Sequence, residues 1–262
     1  MVSQFESQSY DCREGDNAAF CLVHGAWHGA WCWDYLRPEL EARGHPTIAP
    51  DLPIDDPEAD FDDYAEVVTE AIANSGAKEV VLAGHSRAGN VIPRIPQLLA
   101  KRVGDVAISK LIYIAASIEE HTIGRPLVEE ANVVPSKNSV LFMTGTQKIP
   151  GNKSLTTFDP LMARLVFYHD CSSKVADWAI GRLRPQKKSD KEPKLEQLPE
   201  IPSEYIVCAH DRVITTDRQI YTALNWFEIP DNRVRVFNSG HSPMLAKPQL
   251  LADQLARSAQ LE

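Results

Sequence analysis

The sequence predicts an α/β fold, a mostly parallel central sheet flanked by helices and carrying a helical lid insertion. Three observations support this. Six short apolar runs alternate with helix-like stretches, the rhythm of strand-helix-strand units. That rhythm lapses for roughly 85 residues between Ser117 and Pro202, more than a crossover helix needs. A content of 44% hydrophobic and 24% charged residues is that of a globular chain with a sizeable core. The 262 residues are read as one domain, 1–262, with the lid insertion at about 117–202.

The strand candidates, in order, are AAFCLV (18–23), PTIAP (46–50), EVVLAG (79–84), KLIYIAA (110–116), EYIVCA (204–209) and RVRVF (233–237). The third, fourth and fifth are continuous rather than alternating, which predicts burial on both faces. Between them, FDDYAEVVTEAIANSG (61–76) has acids in its first turn and Gly76 at its end, both helix-boundary signals. In NVIPRIPQLLAKR (90–102), Pro93 and Pro96 remove two backbone donors, so a short or kinked helix is expected. TTDRQIYTALNWF (215–227) and KPQLLADQLARSAQ (247–260) complete the flanking helices. Inside the lid, DPLMARLVFYHDC and KVADWAIGRL are helix-like, and PQKKSDKEPKLEQLPEIP reads as an exposed return segment.

A formal charge of −9 argues against nucleic acid as a partner, because tracking phosphates requires clustered Lys and Arg. No apolar stretch reaches the roughly 18 residues of a membrane span, and the polar start MVSQFESQSYDCREGDN lacks a signal-like apolar segment. Five cysteines, Cys12, Cys21, Cys32, Cys171 and Cys208, form an odd set without CxxC spacing. Neither a disulfide framework nor a metal site is expected, and a cytoplasmic location fits. Leu261-Glu262 is read as the start of a tag scar and set apart from the fold.

The chemistry begins at VVLAGHSRAGN (80–90). A serine at the sharp turn from a buried strand into a helix has its hydroxyl lifted above the sheet, and the turn needs small neighbours two positions away on each side. Gly84 and Ala88 occupy those positions; Ala88 departs from the usual glycine by one methyl, and Gly89 follows to relieve crowding. Serine is a weak nucleophile alone, so Ser86 requires a base and an orienting acid. Asp211 follows the fifth run and His241 follows the sixth, each at a strand's carboxyl end, where site loops of open α/β sheets gather. Nucleophile, acid and base occur in the chain order expected of three residues meeting on one rim. In LVHGAWHGAWCW, His24-Gly25 brings a turn beside the serine, so the amides of Ala26 and Arg87 are expected to form an oxyanion hole.

Together, HGAWHGAWCW, GHSRAG, Asp211 within CAHDRVITTDRQ, and GHSPMLAKPQLLADQL resemble the α/β-hydrolase family. Within it they resemble the branch of small-substrate esterases and hydroxynitrile lyases that includes plant methyl-ester hydrolases. The resemblance covers most of the chain and is weak across the lid. It implies the α/β-hydrolase fold, the Ser86-His241-Asp211 triad, two backbone donors, no cofactor, and an apolar pocket under the lid.

The expected activity is serine-dependent cleavage of a small carboxylic ester, lactone or thioester. In the lyase branch a threonine follows the histidine of the oxyanion loop and a lysine follows the catalytic histidine. Here Gly25 and Ser242 stand there. A cyanide leaving group benefits from a nearby ammonium and ester hydrolysis does not, so C–C lysis ranks second. A non-catalytic small-molecule receptor ranks third. The expected partner is a small ester substrate, with a homodimer left open.

Trp27, His28, Arg87 and Phe167 are the candidate substrate contacts. Trp31, Trp33, Tyr168 and His169 are weaker candidates, for which core packing is the simpler reading. His28 either polarises substrate or makes a structural hydrogen bond. Arg87 either selects anionic substrates or pairs with a lid acid such as Glu119 or Glu120. His85 is assigned to the packing beneath the turn, Asp51 to loop bracing, and Asp217 to a helix too distant to serve as the acid.

Overall fold

The computed structural model describes residues 17–102, 105–118, 142–188, 192–195 and 197–260. Six parallel strands form the main sheet: β1 (Ala19–Val23), β2 (Thr47–Ile48), β3 (Glu79–His85), β4 (Ala107–Ile114), β8 (Ser203–Cys208) and β9 (Val234–Phe237). Their spatial order is β2-β1-β3-β4-β8-β9. Each apolar run named above contributes one of them.

Burial on both faces explains the continuous runs. Along β3, Val80 and Leu82 face one core layer while Val81 and Ala83 face the other. In β1, Cys21 and Val23 share the first layer, and Phe20 and Leu22 share the second. A strand packed on both sides has no polar face, so its sequence does not alternate. The outermost strand β9 is only partly covered, and Val236 is 66% exposed.

After a short helix α1 (Arg37–Glu41), helix α2 (Phe61–Ala73) begins with a reciprocal cap. The Asp60 carboxylate accepts from the amides of Asp62 and Asp63, and Asp63 accepts from the amide of Asp60. Such caps satisfy donors that the first turn leaves unpaired. Past its end, Gly76 adopts φ 75°, a left-handed value that glycine takes without strain. The two prolines act as expected: a 3-10 turn (Ile92–Arg94) precedes a short helix α3 (Ile95–Ala100). Helix α6 (Thr216–Tyr221) gives way to a wider π turn (Thr222–Trp226), and a short α7 (Pro243–Ala246) precedes α8 (Pro248–Gln260), the last of the described helices.

The segment between β4 and β8 is only partly helical. Helices α4 (Pro160–Val166) and α5 (Ser173–Ile180) are present. Beside them lies an antiparallel sheet of β5 (Thr146–Lys148), β6 (Leu155–Phe158) and β7 (Gln186–Lys187), which the sequence pattern did not predict. The return segment also departs from expectation, since Gln186, Glu192 and Leu195 are buried rather than solvated. Glu119, Glu120, Cys12, Leu261 and Glu262 lie outside the described residues. Among the described residues no helix is long and apolar enough to cross a membrane.

Candidate active site

β3 ends at His85, and Ser86 opens a 3-10 turn (Ser86–Asn90) with φ 53°. A left-handed serine costs roughly 1–3 kcal/mol and persists only where the surroundings enforce it. Those surroundings are tight. A Cβ on Gly84 would stand 3.0 Å from the Ile92 side chain, and one on Gly89 would stand 2.3 Å from the carbonyl oxygen of Ser117. The methyl of Ala88 is accommodated at 1% exposure. The tighter of these two approaches falls at Gly89, one residue beyond Ala88.

Asp211 lies just past β8, its carboxylate held on both oxygens. Oδ1 accepts from the amides of Val213 (2.6 Å) and Ile214 (3.0 Å), and Oδ2 accepts from Gln219 Nε2 (3.1 Å). His241 Nδ1 meets the same Oδ2 at 2.7 Å, in a buried pair. With the hydrogen on Nδ1, the opposite ring nitrogen is left as an acceptor, which is what a general base requires. The loop bearing His241 is fixed twice more: His85 Nε2 donates to the His241 carbonyl (2.7 Å), and the Gly240 amide donates to Asp170 Oδ2 (2.6 Å). Burial holds the His85 imidazole well below its ordinary pKa. It props the His241 loop and, beyond the packing role its place in the sequence predicts, it also reaches the cavity that Ser86 and His241 line.

The loop after β1 comes so close to Ser86 that a Cβ on Gly25 would lie 2.9 Å from the serine Cβ. His24 fixes this loop. Its Nε2 accepts from the Leu52 amide (3.0 Å), so its Nδ1 donates to the Gly25 carbonyl (2.9 Å). Burial lowers the His24 pKa to about 4. His28 works the same way. Its Nε2 accepts from the Tyr168 hydroxyl (2.8 Å) and its Nδ1 donates to the Ala26 carbonyl (2.7 Å), with burial lowering its pKa to about 3. Of the two readings of His28, the structural hydrogen bond is the one observed.

Ser86 and His241 share a mainly apolar cavity of about 560 Å³. Ala26, Trp27, His28, Arg87 and Phe167 all line it, so every predicted oxyanion and substrate-contact residue reaches one space. Phe167 sits 5.7 Å from the His241 ring, centroid to centroid. Trp33 is core, and Trp31 stacks on His28 outside the cavity. Tyr168 and His169 do not line the cavity either, though Tyr168 touches it through His28. Asp51 accepts from the Ala30 amide (2.7 Å) and braces that loop. A second cavity, of about 630 Å³, lies near the start of β8 beside Tyr113, Glu200 and Arg233, and contains none of the candidate triad.

The Arg87 guanidinium pairs with the buried carboxylate of Glu192 (3.2 Å) and lies 4.8 Å over the Phe61 ring. A salt bridge to the insertion is thus present, with Glu192 as the observed acid. Sequence reasoning also missed Gln219, Asp170 and Gln186. For Gln219 the available signal was its place on α6, immediately after the Asp211 loop.

The family model described as "Alpha/beta hydrolase family" matches residues 22–254. The chain is 32% identical to Methylesterase 2 of Arabidopsis thaliana, over 90% of this chain and 94% of that protein. It is 25% identical to an alpha-hydroxynitrile lyase of the same plant, over 92% and 96%. The crystal structure of polyneuridine aldehyde esterase superposes with a TM-score of 0.72 at 23% identity, covering 93% of this chain and 100% of that one.

Proposed function

The chain belongs to the α/β-hydrolase family, and from that premise we propose that it hydrolyses a small carboxylic ester through an acyl-enzyme on Ser86. One observation carries the reading: the buried His241 Nδ1 to Asp211 Oδ2 contact of 2.7 Å, behind a cavity that His241 shares with a left-handed Ser86. The likeness to methylesterases supports an ester as substrate.

In the proposed mechanism, Nε2 of His241 takes the Ser86 hydroxyl proton as the serine oxygen bonds to the ester carbonyl carbon. The resulting oxyanion is held by the amides of Ala26 and Arg87. Collapse of this intermediate breaks the bond to the alkoxy oxygen, and His241 returns the proton to release the alcohol. Water, deprotonated by the same imidazole, attacks the acyl carbon, freeing the acid and restoring Ser86. Asp211 holds the ring and offsets its transient charge. A lactone or thioester enters by the same first step. The insertion, about residues 117–202, serves as a lid that keeps bulk water from the cavity.

Lyase chemistry is less well supported. The position that carries threonine in the lyase branch is Gly25, where a side chain would press on Ser86, and Ser242 stands fully buried in place of a lysine ammonium. Replacement of Ser86 by alanine tests the hydrolase reading on p-nitrophenyl acetate. Loss of the nucleophile should cost up to about a millionfold in turnover. Near-normal turnover would overturn it.

A further inference from the structure

The loop that would supply the first oxyanion donor is held from the insertion side. Trp27 adopts φ 57°, a left-handed conformation that costs an L residue roughly 1–2 kcal/mol. Both of its backbone groups are occupied: its carbonyl accepts from the Arg184 amide (2.8 Å), and its amide donates to Gln186 Oε1 (3.3 Å). Gln186 is itself fixed, being 2% exposed, with Nε2 donating to the Lys187 carbonyl (3.1 Å) and its own carbonyl accepting from Thr156 Oγ1 (3.1 Å).

The consequence appears when the bonds are followed peptide by peptide. The plane joining Ala26 to Trp27 has its oxygen held by His28 Nδ1 and its N–H held by Gln186. His28 keeps that orientation because Tyr168 donates to its other nitrogen. The preceding plane, joining Gly25 to Ala26, has its oxygen held by His24. In a trans peptide the N–H points opposite to the carbonyl, so His24 aims the Ala26 N–H through the Gly25 oxygen. His28 and Gln186 hold the next plane, across the Ala26 Cα, and keep the two planes from turning relative to one another. His24 belongs to the main sheet side of the site, whereas Tyr168 and Gln186 belong to the insertion.

We propose that Tyr168 and Gln186 are positioning residues for the oxyanion hole, so that the insertion sets the rate of acyl transfer in addition to covering the pocket. This rests on the hydrolase reading given above. The oxyanion forms only as the carbonyl is attacked, so a displaced donor weakens the transition state and leaves ground-state binding in place.

The test compares Tyr168→Phe, Gln186→Leu and Ser86→Ala with the wild-type chain. Active sites are counted by fluorophosphonate labelling run to completion, so that any misfolded fraction drops out. For the first two variants kcat per active site should fall about tenfold, with KM within about twofold. Affinity for a trifluoromethyl ketone, which forms an oxyanion on Ser86, should fall by the same factor, while affinity for the unreactive amide of the same shape holds. If both variants keep wild-type kcat per active site, or lose only labelled fraction and melting temperature, the two residues are merely structural and the proposal is overturned. Retained kcat in Tyr168→Phe and Gln186→Leu with an inactive Ser86→Ala rejects the positioning role alone. Retained turnover in Ser86→Ala rejects the hydrolase reading, and the proposal with it.

Discussion

Gly25 and Ser86 approach so closely that a β-carbon on the glycine would lie 2.9 Å from that of the serine, and 3.1 Å from the His85 carbonyl oxygen. Both neighbours are part of the rigid end of β3, so a side chain at 25 must push its own loop away. Gly25→Ala should therefore lower kcat about a hundredfold, the scale of losing one oxyanion donor, with KM little changed. Steady-state kinetics on a p-nitrophenyl ester measure both. Unchanged kcat would show that the loop yields without disturbing the donor.

Replacing Asp211 by asparagine should be far more damaging than its size suggests. One side-chain oxygen must still accept from Val213 and Ile214, which leaves the new amide nitrogen facing His241 Nδ1. Two donors cannot face each other, so the imidazole hydrogen shifts to Nε2 and the ring no longer accepts the serine proton. A loss of about 10⁴-fold in kcat is expected, readable in a turnover assay alongside a melting curve. A loss under about tenfold would reject the acid assignment.

The buried histidines impose a pH dependence on stability. His24 and His28 have pKa values lowered by burial to about 4 and about 3, and His85 is displaced in the same direction. In the unfolded chain each titrates near its ordinary value of about 6.5. Above that value their effect on stability is constant. As pH falls below it the unfolded state takes up protons that the fold refuses, so stability declines until the folded values are reached. Between about pH 7.5 and about pH 5.5, His24 and His28 should each remove about 1.4 kcal/mol. Urea midpoints at the two pH values provide the check, and an unchanged midpoint contradicts it.

Arg87→Leu should reveal a structural residue. Glu192 is fully buried at its side chain and meets both Arg87 (3.2 Å) and Lys187 (3.9 Å). Removing the guanidinium weakens the compensation of that buried carboxylate, which should cost about 3 kcal/mol. The backbone amide at 87 remains, so relative rates on anionic and neutral esters should stay within about twofold. A selective loss on anionic esters would instead assign the side chain to substrate choice.

How much of this was legible follows from which contacts are local. Strands buried on both faces show themselves as unbroken apolar runs, and Ser86 and Asp211, just beyond two of them, inherit their places from those run ends. His241 instead follows the shorter, alternating run of the partly covered edge strand β9. Gly89 was readable as a close-approach glycine because the turn leaves no room there. Gln186 and Glu192 were not readable. They sit in a polar stretch whose residue types signal solvent, and only partners more than a hundred residues distant, such as Trp27 and Arg87, make them interior. The strands of the small sheet fail for another reason: TQK and QK are too short and polar to carry a period. Gln219 and Asp170 show no motif, because each acts by filling a hydrogen-bonding vacancy that exists only after folding.

The fasteners on Trp27 and His28 also bear on how such a molecule can be re-engineered. Grafting residues 142–188 from a cousin to obtain a new appetite would transplant the grip on the neighbouring turn together with the new walls. A chimaera lacking a hydroxyl at 168 or an acceptor at 186 would inherit the donor's taste with a blunted blade.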